Sequence, residues 1–79
     1  KNMDIKTDKV LDCKGLSCPL PVLKTKKAIE ELKSGQILEM IATDPGSKND
    51  MEAWANRTGN PIIGTREDGG AYIFFIKKS

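Results

Sequence analysis

The sequence predicts an α/β two-layer sandwich of order β-α-β-α-β-β, a mixed four-stranded sheet with two helices on one face. Three observations predict it. A short run of strand composition, Lys9 to Cys13, leads through a proline-marked turn into a helical pattern and then a second apolar run, Gln36 to Thr43. A strand–helix–strand unit of this length implies a parallel pair joined by a right-handed crossover. A second helical pattern follows, and the chain closes with two alternating runs about Asp68-Gly69-Gly70, the signature of an antiparallel hairpin. Two helices covering one face leave the other face of the sheet open.

With 79 residues, the chain is expected to form a single domain, 1–79, in which residues 1–8 are a loosely ordered lead-in. One modest core and no cofactor-sized cavity are expected at this size. Hydrophobic residues make up 38% and charged residues 30%, and no apolar run approaches the roughly 18 residues that a membrane span requires. No membrane anchor is therefore expected. No signal-peptide pattern precedes the first strand, so the two cysteines read as reduced thiols of a cytoplasmic protein rather than a disulfide framework. The absence of histidine excludes Cys-His catalytic pairs, and two thiols alone cannot close a structural zinc site. Neither a metal nor an organic cofactor is expected.

In the first strand, alternation puts Leu11 and Cys13 on one face, so Cys13 faces the core if Leu11 does. The competing role for Cys13 is a resolving thiol paired with Cys18. The first helix is expected from Pro19 to Lys33, with Val22, Thr25, Ile29 and Leu32 as its inner stripe, Leu23 and Ala28 widening it, and Gly35 as its stop. Lys24, Lys26 and Lys27 crowd its front half. They form either a solvated face, with Lys26–Glu30 and Lys27–Glu31 pairs, or a basic rim for an acidic partner or RNA. The second strand is apolar on both faces, which suits an interior position. Ser47 and Asp50 have the spacing of a capping box, the second helix offers Met51, Trp54, Ala55 and Thr58 as one face, and Gly59 ends it. Trp54 is read as core, and Asp44 and Asp50 as loop and cap residues. Pro61 confines Ile62 to Glu67 to a sheet edge, and Ala71 to Lys78 returns as its partner, with Tyr72, Phe74 and Ile76 alternating against Ile73, Phe75 and Lys77.

The chemistry centres on Asp12-Cys13-Lys14-Gly15-Leu16-Ser17-Cys18-Pro19-Leu20-Pro21. Proline is tolerated only in the first turn of a helix, and the residue before it is driven to extended geometry, so Cys18 is expected as the N-cap with Pro19 first in the helix. A helix N-terminus carries partial positive charge and free N–H groups. The amides of Leu20 and Val22 are expected to remain available to an anionic sulfur there, holding the thiol below its free value of roughly 8.5. Most free cysteines are small buried apolar residues, but a serine or aspartate would cap better, so function is the simpler account of Cys18.

Leu11-Asp12, Gly15-Leu16 and Cys18-Pro19-Leu20-Pro21 ahead of a lysine-rich helix, with Thr43-Asp44-Pro45-Gly46, Asp50, Trp54 and Gly59, resemble the TusA/SirA-like sulfur-carrier family over nearly the whole chain. The resemblance implies strand order 1-2-4-3 and a persulfide carried on Cys18, with Gly15, Leu16, Pro19 and Pro21 as the supporting motif. It also implies a sulfur donor, either a pyridoxal-phosphate cysteine desulfurase or a rhodanese-like protein. The sulfur would pass to an acceptor protein serving tRNA thiolation, molybdenum-cofactor synthesis or sulfur oxidation. No general base, metal set or phosphate loop accompanies the cysteine, which suits a carrier whose partners supply the chemistry. The alternatives are a small RNA-binding or regulatory module built on the basic helix, and a dithiol module using Cys13 and Cys18. Direct nucleic-acid binding is disfavoured, because the aromatic residues form no recognisable stacking motif.

Overall fold

A computed structural model describes residues 7–17 and 20–79. Its elements are β1 (Lys9–Cys13), α1 (Leu20–Glu30), β2 (Ile37–Ala42), α2 (Ser47–Thr58), β3 (Ile62–Asp68) and β4 (Ala71–Lys77). They form one four-stranded sheet of order β1-β2-β4-β3. β1 runs parallel to β2, with Leu11 opposite Met40 and Cys13 opposite Ala42, while β4 is antiparallel to both β2 and β3. This is the expected two-layer sandwich, with the central positions held by the two strands that are apolar on both faces.

The core lies between the helices and one face of the sheet. Cys13 from β1, Leu38, Met40 and Ala42 from β2, and Phe74 and Ile76 from β4 meet Ala28 and Ile29 of α1 and Met51, Trp54 and Ala55 of α2. The alternating sets expected in β2 and β4 stay together, with Leu38, Met40, Ala42, Phe74 and Ile76 inward, and Cys13 of β1 and Trp54 of α2 are core residues as expected. On the opposite face no helix among the described residues covers the sheet; Ile73 and Phe75 are nonetheless buried, on a strand flanked by β2 and β3. Asp68 pairs with Ala71 across Gly69-Gly70, whose φ values of 57° and 88° are those of a two-residue turn that matches the sheet twist and that side chains disfavour. A register shift between Ile62 and Gly64 interrupts edge strand β3, a bulge of the kind that blunts an exposed edge.

Several local expectations need correction. α1 ends at Glu30, not Lys33: the chain tightens into bonds from Glu31 N–H to Ala28 O and from Leu32 N–H to Ile29 O (both 3.1 Å). The turn that follows delivers the Gly35 N–H to Lys78 O, aligning the chain with β2. The buried stripe of α1 is Pro21, Thr25, Ala28 and Ile29, so Leu23 points away from the core rather than widening it. Thr25 keeps its buried hydroxyl satisfied by donating to Pro21 O at 2.7 Å. Glu31 pairs with Lys9 on β1 rather than with Lys27, and that bond holds its carboxyl below the usual range. At α2 no capping box forms. Gly46 is the N-cap without a side-chain bond, and Ser47 lies inside the helix, 1% exposed, its Oγ unpartnered. Thr58, expected on the inner face, is exposed and donates to Trp54 O. Asp8, at the end of the lead-in, is tied to Ile37 by two hydrogen bonds of 2.8 Å.

Candidate functional site

Because β1 and β2 are parallel, the loops that follow them emerge at the same end of the sheet, and one hydrogen bond joins them: Gly15 N–H donates to Thr43 Oγ1 at 2.9 Å. Gly15 takes a φ of 82°, a left-handed conformation that a side chain would strain. On either side of it, Lys14 N–H donates to Asp12 Oδ1 at 2.9 Å and Leu16 N–H to Cys13 O at 3.2 Å. Three consecutive loop amides are thus bonded, and only the middle one reaches another element. Leu16 packs against the core and anchors the loop from inside. A bond of 3.0 Å from Leu20 N–H to Ser17 O then spans positions 18 and 19. The Leu20 amide, expected to face an anionic sulfur, is engaged there instead.

Cys18 and Pro19, with the expected N-cap geometry, lie outside the described residues. Their surroundings are described. Pro21 is fully buried, so the motif's second proline is a core residue as well as a constraint on the first turn. Lys24, Lys26 and Lys27 are all exposed, as is Lys14, which stands 3.9 Å from Asp12. Cys13 is a free thiol with no exposed surface, and burial pushes its pKa up, against a smaller lowering by Lys24. It is a core side chain held in the protonated form, which disfavours it as a nucleophile.

Elsewhere the described residues hold no group of three acidic or thiol side chains placed for a metal ion. Asp44 accepts a long bond (3.4 Å) from Gly46 N–H, in keeping with a loop role. No helix among them is long and apolar enough to cross a membrane. An open groove of about 690 Å³ runs between α2 and β3, lined by Ala55, Asn56, Pro61 and Ile63 among others. A hollow of that volume was not expected for so small a chain, but among the described residues Glu52 is the only ionisable one lining it. Two features of the site went unread in the sequence: the Thr43 tether, which depends on strand register, and the outward placement of Leu20 and Leu23, 44% and 55% exposed. The second follows from the burial of Pro21, which turns Leu20 and Leu23 to the outer side of the helix.

The family model described as Sulfurtransferase TusA matches residues 9–78. The chain belongs to the TusA family. Two relatives match it over nearly their full length: the "Putative sulfur carrier protein YrkI" of Bacillus subtilis is 51% identical over 74 residues, covering 94% of this chain and 99% of that protein. The sulfur carrier protein TusA of Allochromatium vinosum is 51% identical over 72 residues, covering 91% and 95%. Among solved structures, the SirA-like protein of Desulfitobacterium hafniense superposes with a TM-score of 0.78 at 25% identity, covering 87% of this chain and 95% of that one. The TusA-type resemblance and the strand order it implied are thereby established.

Proposed function

We propose that this protein is a sulfur carrier in which Cys18 is the sulfur-bearing residue. The Cys18 thiolate attacks the outer sulfur of a donor protein's persulfide; the donor cysteine leaves as its thiolate, and the sulfur stays as a Cys18 persulfide. An acceptor thiolate then takes the outer sulfur in the same way and releases the Cys18 thiolate. Each step exchanges one S–S bond for another, so no external oxidant or reductant enters. The donor is a cysteine desulfurase or a rhodanese-like protein, the acceptor a further relay protein in the cytoplasm, and residues 1–79 act as one such domain. Gly15, Leu16, Pro19 and Pro21 support the presentation of Cys18.

The observation that carries this reading is the contrast between the chain's two cysteines. Cys13 is fully buried, and burial raises its pKa, whereas Cys18 stands in the sequence between a tethered loop and the start of α1, in a chain whose full-length relative is named a sulfur carrier. RNA binding is disfavoured because Trp54, Phe74 and Phe75 are buried and Tyr72 half-buried, so they offer no stacking platform. Intact-mass measurement after incubation with a cysteine desulfurase and cysteine tests the proposal. The wild type should gain the mass of one sulfur atom, removable by reductant, and Cys18→Ser should gain none. Loading that persists in Cys18→Ser refutes the assignment.

A further inference from the structure

Among the described residues four large apolar side chains are exposed, and two of them, Leu20 and Leu23, stand in the first turn of α1. Spaced three apart, they are neighbours on the helix surface, and Lys24 and Lys27 continue the same stripe at the next helical positions. The opposite face of the helix, Pro21, Thr25, Ala28 and Ile29, is in the core, so no packing among the described residues accounts for the leucines. Scattered exposed apolar residues need no explanation, but an adjacent pair beginning two residues after Cys18 does.

Charge supplies the second observation. Residues 13–29 contain four lysines (Lys14, Lys24, Lys26, Lys27) and no aspartate or glutamate. The chain has 13 basic and 11 acidic residues, so the remainder holds nine basic against eleven acidic and is net −2. The overall charge of +2 therefore resides in the segment that carries Cys18 and the two leucines. All four lysines are exposed, and among the described residues only Lys14 has an acidic side chain in ion-pair range, Asp12 at 3.9 Å.

We propose that the outer stripe of α1, Leu20, Leu23, Lys24 and Lys27, is the docking surface for the sulfur-exchanging partner, and that this partner presents an apolar depression rimmed by carboxylates beside its own reactive sulfur. The proposal rests on the carrier reading and specifies its partner. The leucines supply the buried centre that holds the complex, and the lysines the complementary rim that speeds encounter. A second copy of this chain is not the occupant, because like-charged stripes would face each other.

The test compares two sulfur sources for the same variants: a cysteine desulfurase with cysteine, and inorganic polysulfide, which needs no docking. Leu23→Ala and Leu20→Ala should each slow loading from the desulfurase about tenfold, the effect of withdrawing one leucine from a buried contact. Lys24→Glu with Lys27→Glu should slow it further and flatten its dependence on salt. All four substitutions are at exposed positions, so thermal midpoints should hold, and polysulfide loading should match the wild type. Desulfurase loading that is unchanged in every variant overturns the proposal, as does a parallel fall with polysulfide, which would place the residues in the reactivity of Cys18 rather than in docking. A wild type that gains no sulfur on Cys18 from either source defeats the carrier reading itself, and this proposal with it.

Discussion

Alkylation of the two cysteines offers a quantitative check on the placement of Cys13. Its side chain has no exposed surface, so a small neutral reagent reaches it only when β1 opens. At roughly 0.05–0.15 kcal/mol per residue, a chain of 79 residues has a global stability of about 4–12 kcal/mol. Even the lower limit protects a thiol about a thousandfold if global unfolding is required. β1 is an edge strand, and its opening by itself costs less, so the expected floor is about a hundredfold. The raised pKa of Cys13 adds to this by depleting its thiolate. Iodoacetamide at mildly alkaline pH, followed by site-resolved mass spectrometry, should therefore modify Cys18 at least about a hundred times faster than Cys13. Subdenaturing urea should accelerate Cys13 selectively, because it raises the open population. Native rates within about tenfold of each other, or a Cys13 rate indifferent to urea, would refute both the burial of Cys13 and its exclusion from the chemistry.

Three further outcomes follow from particular contacts. Ser47→Ala should leave the thermal midpoint unchanged or raise it, since it removes a buried hydroxyl without a partner; a loss of about 1 kcal/mol in denaturant titration would restore the serine as a cap. Thr43→Val should slow sulfur loading of Cys18 several-fold while costing less than about 1 kcal/mol of stability, because the Gly15 amide it releases is exposed to water. Thr43→Ser should recover the rate. Folded Cys13 keeps its proton at pH values where the unfolded chain has lost it, so its contribution to stability is complete below about pH 8.5 and is lost as pH rises from there through the folded value. Unfolding titrations across that range should show a downward slope that Cys13→Ala removes.

The order of elements, the burial of Cys13 and Trp54, the hairpin and the interior position of β2 all followed from the sequence by itself. Each depends on a local period or on a residue with restricted backbone geometry, and both act within a few neighbours. The motif around Cys18 could be picked out in the same way, because two prolines, a glycine and a cysteine at fixed spacing are local features, while the N-cap geometry expected of Cys18 and Pro19 lies outside the described residues. Tertiary structure decided the rest. Which apolar residues of α1 face inward depended on Pro21 entering the core, and this turned Leu20 and Leu23 outward. Glu31 had a lysine four residues before it in the sequence, yet it pairs with Lys9, brought near by the packing of α1 on β1. Ser47 had the spacing of a cap, yet it is drawn inside α2 and buried because Gly46 occupies the cap position. The tether from Gly15 to Thr43 joins residues 28 apart in sequence. Local periodicity shows where a helix or strand lies; only the parallel register of β1 and β2 sets two separate loops side by side at one end of the sheet.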